Sequence, residues 1–579
     1  MLKSRGGNLV ALIKGFFDEI IFNIISRDQK VAMPRVYVVL VFFLLCYVVI
    51  SLRLFNVTVM DKLFESTEGQ HGNQYHRASN VAKRSDIIDR NGELLAINLV
   101  TTSIYANPKF ITDPVNTAKK LQQIFPSLNR KDILNKLKSD KSFVWIKRNV
   151  IPKEEQRVYD LGIPGLYFET SEKRAYPHSS LFSHVVGYVG LDGQGLSGIE
   201  RYFDQDLRSK SSEDAIPLQL SLDVKAQGII KNELEKAIKE FSAVGGIGIL
   251  QDVNNGEILA MVNLPDYDPH NLNKASEDAL FNKITLGNYE AGSTFKIFTM
   301  AAALDTKTIR LNDVYDVDTP LYLSGYQIKD LHAKGGWLSV PQILMYSSNV
   351  GISQIALELG KEKQFSYLKA LGFLSPLSIE LHEKSTPSYN SFAKWDDLTV
   401  VTSSYGYGIS VSPLHIVKGM GAVVNGGKLY SPTLIKGRHA EYKQVLKKST
   451  SKDMRKLLRM VVRFGTGRKS EVEGVFIGGK TSSVHKVIDG KYQQKLKISS
   501  FVSVFPVHDP KYVMLIAIDE PHGNKDSFGF ATGGWVAAPA TARIVEKLTP
   551  VLGIVPENNQ KEVIEKSLFV EYNSKSELS

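Results

Sequence analysis

The longest uninterrupted run of apolar side chains lies near the start of the chain. Residues 36–52 read VYVVLVFFLLCYVVISL and carry no charge. With its flanks, this run just reaches the length that a helix needs to span the hydrocarbon core of a bilayer. Six basic residues precede it, whereas only Arg53 follows it before Lys62. Because positive charge stays on the cytoplasmic side, the pattern predicts a cytoplasmic segment at 1–35, a transmembrane helix at 36–55 and everything after it outside the cytoplasm.

Two other structures explain such an apolar run less well. A cleaved signal peptide is disfavoured because 35 residues precede the run and no small-residue cleavage site follows it. A helix buried in a soluble core is disfavoured by the many β-branched and aromatic residues, which are poor helix formers in water. A second apolar stretch, at 8–26, is interrupted by charged residues and predicts an amphipathic helix on the inner leaflet.

Beyond this run, the pattern divides the chain into two modules and a tail. Between 56 and 215, short strand-like runs alternate with charged, turn-rich segments and with helical stretches at 116–125 and 129–137, which predicts an elongated α+β module with little core. A polar stretch at 209–214 precedes a larger module at 216–555. Residues 556–579 are mostly polar and predict a loosely held tail.

The larger module has strand-like runs at both ends and helical segments between them. The runs at 246–252 and 257–262 flank Asn254-Asn255-Gly256, which is a strong hairpin signal. Three further runs lie at 474–479, 499–506 and 512–519, and helical spacing lies at 223–241, 295–304 and 352–359. This order predicts one antiparallel sheet built from both ends of the module with helices against it, and hence an α+β fold.

Composition narrows the function. The chain has 579 residues, of which 43% are hydrophobic and 23% charged, as in ordinary globular proteins. Cys46 is the single cysteine, and the histidines form no H-E-x-x-H pair, so we expect neither a disulfide nor a metal or other cofactor. The net charge is +11, but no run of Lys and Arg exceeds a doublet, so we do not expect nucleic acid as a partner.

Ser293 and Lys296 are the first candidates for chemistry. The segment 289–304 reads YEAGSTFKIFTMAAAL. Gly292 interrupts the regular structure, and an apolar helix is predicted to begin at Ser293. Residues three apart share one face of a helix, which is the geometry that a serine nucleophile and an amine base need. The helix N-terminus adds free N–H groups for a developing oxyanion. Burial among apolar neighbours would favour the neutral amine that a base requires.

S-x-x-K by itself is a weak signal, because the chain also matches it at 366–369, 449–452 and 483–486. The order of three motifs is more specific. Ser293-x-x-Lys296 on an apolar helix is followed by Ser347-Ser348-Asn349 between two helical segments, and then by Lys480-Thr481 at the end of an apolar strand. Such a trio is the signature of class A β-lactamases and penicillin-binding proteins.

Over nearly its whole length the chain resembles the class B penicillin-binding proteins, the single-span peptidoglycan D,D-transpeptidases. Segments 84–92, 174–177 and 198–200 look like the family's motifs in its N-terminal pedestal, and 252–261, 404–408 and 412–414 look like those of its catalytic domain. Ser347-Ser348-Asn349 and Gly351 favour the septal, division-specific subtype. The resemblance implies a pedestal (dimerisation-like) domain at 56–215 and a serine β-lactamase-like transpeptidase domain at 216–555.

The resemblance also implies roles for the site residues. Ser293 attacks the penultimate D-alanine carbonyl of a stem peptide, and an amino group of a neighbouring stem peptide then resolves the acyl-enzyme into a cross-link. Lys296 takes the serine proton, and Ser347 relays a proton to the leaving amine with help from Lys480. Three residues are expected to bind the substrate, two of them at its carboxylate: Asn349, Thr481 and Ser483. β-Lactams are expected to acylate the same serine.

Two positions in the active-site motifs depart from the family pattern. Ser482 stands where the third motif has glycine, and Ala291 stands where the family has proline before Gly292. Glycine allows the backbone to approach closely beside the nucleophile. A Ser482 hydroxyl that leans into the cleft would slow acylation, whereas one that points away would change little.

Other functions stay open at this point. Ser482 would suit a catalytically weak scaffold that recruits division proteins, and an elongation-specific transpeptidase shares most of the motifs. A membrane-anchored β-lactamase or penicillin sensor is disfavoured by the large N-terminal module. For the transpeptidase, the resemblance implies a single-pass protein of the bacterial inner membrane with a periplasmic catalytic domain. Its implied partners are stem peptides ending in D-Ala-D-Ala, β-lactams, and a separate septal glycosyltransferase with other division proteins.

Two smaller expectations concern the pedestal. Arg84, Arg174 and Glu200 are expected to form a buried ionic network that joins the two modules, in preference to any catalytic role. His184 is expected to be a packing residue with satisfied hydrogen bonds.

Overall fold

The computed structural model describes residues 33–55, 84–208, 216–330, 335–438, 441–488 and 490–572. The chain divides into two compact units, Met1–Ser79 and Asn80–Ser579. The first unit contains helix α1, Met33–Phe55, whose side chains are described over residues 40–53. Among the residues so described, no helix combines the length and apolar character of a bilayer span. The span predicted at 36–55 therefore stays a prediction, and the amphipathic helix predicted at 8–26 lies outside the described residues.

The second unit opens with the pedestal, an α+β module with one mixed sheet. Its strands run in the order β3-β2-β1-β5, and β4 pairs with β2. The strands are β1 Ile87–Ile88, β2 Leu94–Ala106, β3 Val144–Val150, β4 Leu166–Ala175 and β5 Leu218–Gln219. The helices are α2 Pro114–Ile124, α3 Arg130–Leu137, α4 Pro152–Tyr159, α5 Ser183–Val186, α6 Gly198–Tyr202 and α7 Asp204–Arg208.

The two helices predicted in the pedestal are confirmed and start at capping residues. The Asp113 side chain accepts a hydrogen bond from the backbone N–H of Asn116 at the start of α2, and Asn129 does the same for Lys131 at the start of α3. Such caps satisfy N–H groups that have no partner within the helix. The apolar faces of both helices pack on the sheet in a small core that includes Ile104.

The predicted ionic network is present and buried. Both arginines donate to Glu200, at 2.5 Å from Arg84 Nε and 2.7 Å from Arg174 Nε, and the Glu200 side chain is fully buried. All three residues lie within the pedestal, so the network does not join the two modules as expected. His184 is also buried as predicted, with Nε2 2.7 Å from the Ala279 carbonyl, and burial lowers its pKa to about 4.

The contacts between the two modules that were expected from the ionic network are made instead by residues 89–91. Asn91 Nδ2 donates to Asp223 Oδ2 at 2.9 Å, and the backbone N–H of Val224 donates to Asp89 Oδ2 at 3.1 Å. Arg90 lies 3.6 Å from Glu257. These charged and polar contacts bind the pedestal to the start of the helix Val224–Glu240 and to the hairpin formed by Gly245–Asp252 and Ile258–Leu264.

The larger module contains one five-stranded antiparallel sheet in the order β17-β18-β19-β6-β7. As predicted, it uses strands from both ends of the module: β6 Gly245–Asp252, β7 Ile258–Leu264, β17 Gly478–Ile488, β18 Lys491–Phe505 and β19 Tyr512–Asp519. The strand predicted from 474 begins at Gly478 instead. The small strands between them are β8 Tyr289–Glu290, β9 Val314–Asp316, β10 Leu321–Leu323, β11 Tyr326–Ile328, β12 Trp337–Ser339, β13 Ser388–Tyr389, β14 Ile409–Val411, β15 Lys428–Tyr430 and β16 Tyr442–Gln444.

Helices cover both faces of this sheet. Those packed on the sheet are α8 Val224–Glu240 and α17 Ala537–Val551 on one face, and α15 Pro413–Val424 and α16 Lys448–Arg463 on the other. The remaining helices of the module are α9 Glu277–Leu280, α10 Lys296–Asp305, α11 Val340–Tyr346, α12 Asn349–Leu359, α13 Lys361–Ala370 and α14 Asp397–Ser404. Alternate residues of β19 enter two different cores: Met514 and Ile516 pack with α8 and α17, whereas Val513 and Leu515 pack in the core on the opposite face, which includes α15. A strand covered on both faces is apolar throughout, which is why 512–519 was recognisable.

The C-terminal segment is more ordered than a loosely held tail. Helix α18, Lys561–Leu568, buries Ile564 and Leu568 against the module. Its Glu565 forms an ion pair with Arg459 of α16, which is buried and also binds Glu471 at 2.7 Å. Ile564 and Leu568, together with the Glu565 ion pair, hold this short helix against the module.

Removing the Glu200 carboxylate tests the pedestal network. We expect Glu200→Ala to lower the free energy of unfolding by about 3–5 kcal/mol, because it leaves two buried guanidinium groups without their shared partner. Chemical denaturation of the full chain in detergent measures this loss. Asp192→Ala is the matched control, since Asp192 pairs with Arg148 but its side chain is 87% exposed, and we expect a loss below about 0.5 kcal/mol there. A loss below about 1 kcal/mol for Glu200→Ala would contradict the network's role.

Candidate active site

Ser293 lies in a 3-10 turn, Gly292–Thr294, just before α10 begins at Lys296. The prediction that Ser293 opens the α-helix is therefore right to within one turn. Gly292 has φ of +55°, and a Cβ there would come within 2.4 Å of a Val484 methyl group. Only glycine tolerates both that backbone conformation and that contact. The tight turn brings the nucleophile's backbone against strand β17.

The loop at 404–408 supports this turn from the other side. The backbone N–H of Gly292 donates to the Gly406 carbonyl at 3.2 Å. Gly406 has φ of +84°, and a Cβ on it would lie 2.5 Å from the nitrogen of Gly292. The turn is thus held between two glycine-dependent contacts, and its position depends on both.

The second motif is shaped by an unusual backbone conformation at Ser347. This residue ends α11 with φ of +64° and ψ of +40°, a left-handed conformation that is uncommon for residues other than glycine. The Ser348 side chain then caps α12 by accepting a hydrogen bond from the backbone N–H of Gly351. The break between the two helices turns the side chains of Ser347 and Asn349 toward Lys296.

The Ser347 hydroxyl is the centre of the hydrogen-bonded cluster. Its Oγ lies 3.1 Å from Ser293 Oγ, 3.2 Å from Lys296 Nζ and 2.8 Å from Lys480 Nζ. Lys296 Nζ also donates to the Ser347 carbonyl at 2.5 Å and to Asn349 Oδ1 at 2.7 Å. Within the described residues, no hydrogen bond joins Lys296 Nζ directly to Ser293 Oγ. The nucleophile therefore reaches both amines through Ser347.

Both lysines of the cluster are fully buried. Burial lowers the pKa of Lys296 from its ordinary value to about 7, and the charge of Asp330 opposes this fall. Burial, and then the positive charge of Lys296, hold the pKa of Lys480 well below its ordinary value. Two buried amines this close together cannot both stay charged without a large cost in desolvation and repulsion. The cluster therefore holds a neutral amine near neutral pH.

The third motif lies on the edge strand of the sheet. In β17, Thr481 Oγ1 donates to Thr466 Oγ1 at 2.7 Å, and Ser483 is exposed and accepts a hydrogen bond from the Gly533 N–H at 2.9 Å. Lys480 and Ser482 alternate with these residues and point to the nucleophile's side: Ser482 is buried and donates to the Ala291 carbonyl at 2.9 Å. The Ser482 hydroxyl is therefore engaged by the backbone and does not lean freely into the cleft.

All seven residues predicted for the site meet at one cleft of about 360 Å³ or directly beneath it. Ser366 and Ser449, which begin two other S-x-x-K matches, do not line it. The cleft also contains residues to which sequence reasoning gave no role: Asp330, Tyr405, Tyr407, Thr466, Arg468, Lys469 and Trp535. The two tyrosines belong to a segment that resembled a family motif, but nothing in the local sequence distinguished Asp330 or Thr466.

Asp330 has a structural role in the site. Its carboxylate accepts hydrogen bonds from the backbone N–H groups of Asn349 and Val350, at 2.5 and 3.0 Å. It therefore gives the first two backbone N–H groups of α12 a hydrogen-bond acceptor, and it places a negative charge near Lys296. Among the described residues, no group of three or more His, Cys, Asp or Glu side chains is arranged to hold a metal ion.

Two family models match the chain. The penicillin-binding protein dimerisation domain matches residues 79–240, and the penicillin-binding protein transpeptidase domain matches residues 246–546. Together they cover the pedestal and the module that carries the cleft.

Curated relatives match along most of their length. The probable peptidoglycan D,D-transpeptidase FtsI of Caulobacter vibrioides is 36% identical over 541 residues, which cover 91% of this chain and 90% of that protein. Stage V sporulation protein D of Bacillus subtilis is 31% identical over 527 residues, covering 83% of this chain and 80% of that protein. The peptidoglycan D,D-transpeptidase FtsI of Escherichia coli is 27% identical over 505 residues, covering 82% and 84%.

The fold is also found among solved structures. The crystal structure of penicillin-binding protein 3 from Mycobacterium tuberculosis, complexed with aztreonam, superposes with a TM-score of 0.66 at 21% identity and covers 82% of this chain and 98% of that one. The fold, the cleft geometry, the domain matches and the relatives agree. The chain belongs to the penicillin-binding proteins in which a dimerisation domain precedes a transpeptidase domain.

Proposed function

We propose that this chain is a serine D,D-transpeptidase that cross-links the stem peptides of peptidoglycan at the division septum. One observation carries the proposal: the Ser293 hydroxyl is hydrogen-bonded through Ser347 to two buried lysines, one of which has its pKa lowered to about 7. The relatives named as D,D-transpeptidases support the reaction, and those named FtsI support the septal role.

The acylation step uses the cluster as a proton relay. Ser293 Oγ attacks the penultimate D-alanine carbonyl while its proton passes to Ser347 Oγ, whose own proton passes to neutral Lys296. The C–O ester bond forms, and the C–N bond to the terminal D-alanine breaks. Lys296 then returns the proton through Ser347 to the leaving amine. Lys480 assists this transfer through its hydrogen bond to Ser347 Oγ. This route assigns Lys296 as the base through Ser347 rather than by direct contact.

The substrate lies along the free edge of β17. An extended peptide can pair with an exposed strand edge, which aligns the scissile carbonyl with Ser293 and points its oxygen at the N–H groups of Ser293 and Ser483. Thr481 and Ser483 bind the terminal carboxylate, and the Asn349 amide binds the substrate backbone. An amino group of a second stem peptide attacks the ester and releases Ser293. β-Lactams present a similar carbonyl and acylate Ser293 irreversibly.

The membrane and partner assignments belong to the same proposal. Residues 36–55 anchor the chain in the inner membrane with 1–35 in the cytoplasm, since residues 36–52 carry no charge and six basic residues precede them. The pedestal at 56–215 and the transpeptidase domain at 216–555 then lie in the periplasm. A separate septal glycosyltransferase and other division proteins supply and position the glycan strands.

A catalytically weak scaffold is less well supported. The feature that favoured it was Ser482, which is buried and whose hydroxyl donates a hydrogen bond to the Ala291 carbonyl. The intact relay of Ser293, Ser347 and the two lysines also favours an enzyme.

Covalent labelling tests the reaction. We expect the full chain to form a stable adduct with a fluorescent penicillin that maps to Ser293 by mass spectrometry, and Ser293→Ala to form none. Ser366→Ala, at another S-x-x-K match, is the matched control and should label normally. Absence of any adduct on the folded wild-type chain would refute the transpeptidase.

Complementation tests the septal role. In cells depleted of their own septal transpeptidase, the wild-type chain should restore constriction, whereas Ser293→Ala should leave filaments. Rescue of rod shape in cells lacking the elongation-specific enzyme, without rescue of septation, would assign the chain to elongation instead.

The pH dependence of acylation tests the role of Lys296. Because its pKa is lowered to about 7, the neutral amine is lost as pH falls, and we expect the acylation rate constant to drop about tenfold per pH unit below pH 6 and to level off above about pH 8. Lys296→Arg should not acylate at any pH, since a guanidinium stays protonated. Stopped-flow labelling of protein that keeps its melting temperature across the range measures both. A rate that is flat from pH 5.5 to 8.5 would contradict the assignment.

Two glycines of one loop test how the nucleophile's turn is held. Gly406→Ala places a Cβ 2.5 Å from the Gly292 nitrogen, and we expect the acylation rate to fall at least about 100-fold because small displacements at the reacting atoms are costly. Gly408→Ala is a close control: φ is +76° there, but the nearest atom would be 3.9 Å away. It should cost some stability and keep the acylation rate. Equal rates for the two variants would show that the contact with Gly292 is unimportant.

A further inference from the structure

We propose that Ser482 is a positioning residue for Ser293. Its hydroxyl ties strand β17, which carries the third motif, to the turn that carries the nucleophile. This inference rests on the proposed acylation of Ser293 and concerns how that serine is held.

The hydrogen bond is direct and buried. Ser482 Oγ donates to the Ala291 carbonyl at 2.9 Å across 191 positions of the chain, and Ser482 is 2% exposed. Strand alternation places Ser482 on the same side of β17 as Lys480, which reaches Ser347. One face of this strand therefore contacts both the proton relay and the nucleophile's turn. Ser482 lines the cleft, but its hydroxyl is directed at the nucleophile's turn.

The turn has few other contacts of this kind. Strand β8, which leads into it, is two residues long. The Ala291 carbonyl accepts a second hydrogen bond, from Thr294 Oγ1 at 2.8 Å, but Thr294 belongs to the same turn. The bond from Gly292 to Gly406 fixes the turn to the 404–408 loop. The Ser482 bond joins it to β17, beside the close packing of Gly292 on Val484. We expect this bond to help set the distance between the nucleophile and the strand that binds the substrate.

The two departures named above for the active-site motifs, Ala291 and Ser482, meet here. Proline at 291 would fix φ covalently, whereas Ala291 leaves this torsion free to rotate and adopts φ of −88°. The hydrogen bond from the Ser482 hydroxyl instead restrains the Ala291 carbonyl, which belongs to the same residue. We infer that the two departures compensate each other, so that a hydrogen bond replaces the rigidity of a ring.

A double-mutant cycle in acylation kinetics tests the inference. We expect Ser482→Ala to lower the rate constant of the acylation step about tenfold, equivalent to about 1.4 kcal/mol in the barrier, without weakening the non-covalent complex with the penicillin. Ser482→Thr keeps the hydroxyl and should keep most of the rate. Ala291→Pro should recover most of the loss in the Ser482→Ala background and have little effect alone.

The controls separate positioning from stability and from the reaction itself. Ser503→Ala removes another buried hydroxyl-to-carbonyl bond, to Met514 at 3.2 Å, and should leave the acylation rate unchanged. Ser482→Gly should behave as Ser482→Ala does and replaces it if that variant does not fold. An unchanged or faster acylation step in either variant, or additive effects in the cycle, would overturn the inference. If the wild-type chain itself does not label, the proposed function fails before this question arises.

Discussion

Burying two lysine side chains within hydrogen-bonding distance of one serine hydroxyl imposes a strict demand on the fold. Removing a charged amine from water costs several kcal/mol even after relaxation, and two such charges side by side would add repulsion. The site meets this cost by keeping an amine neutral, while Asp330 limits how far the pKa of Lys296 falls. The neutral amine is what makes the serine hydroxyl a usable nucleophile. The apolar packing around α10, α11 and α12 is therefore required for the chemistry as well as for stability.

The architecture brings the required groups together from distant parts of the chain. Helix α10, the break between α11 and α12, and edge strand β17 each contribute one motif. The sheet is covered by helices on both faces, and among the described strands β17 pairs only with β18, which leaves the edge along which we propose that the substrate lies. The pedestal is held to this module near residues 89–91, and its own buried carboxylate, Glu200, stabilises it independently of the site.

The sequence predicted elements best where burial is complete or where a short-range signal exists. The hairpin at Asn254-Asn255-Gly256 is predictable because turn chemistry acts locally, and the strand at 512–519 is predictable because it is a short, continuous apolar run that is buried on both faces. The strand from 474 was placed too early, because Val475–Ile477 is buried as irregular chain and not as strand. The helix at 561–568 was missed because one ion pair with Arg459 and two apolar contacts dock an otherwise polar segment. For the site, motif order predicted seven residues that the structure brings together at one cleft. The left-handed backbone at Ser347, the contacts of Asp330 and the direction of the Ser482 hydroxyl depend on tertiary contacts that no local pattern encodes.

The most direct test of this account is the titration of the Lys296 side chain itself. Full-length protein labelled with ¹³C at the lysine ε carbon, with the signal assigned by its loss in Lys296→Met, reports the protonation of this amine by NMR. We predict a transition with an apparent pKa of about 7, shared in part with Lys480 because the two amines interact. A Lys296 signal that stays protonated until about pH 10, as in a free lysine, would contradict the claim that burial prepares the base.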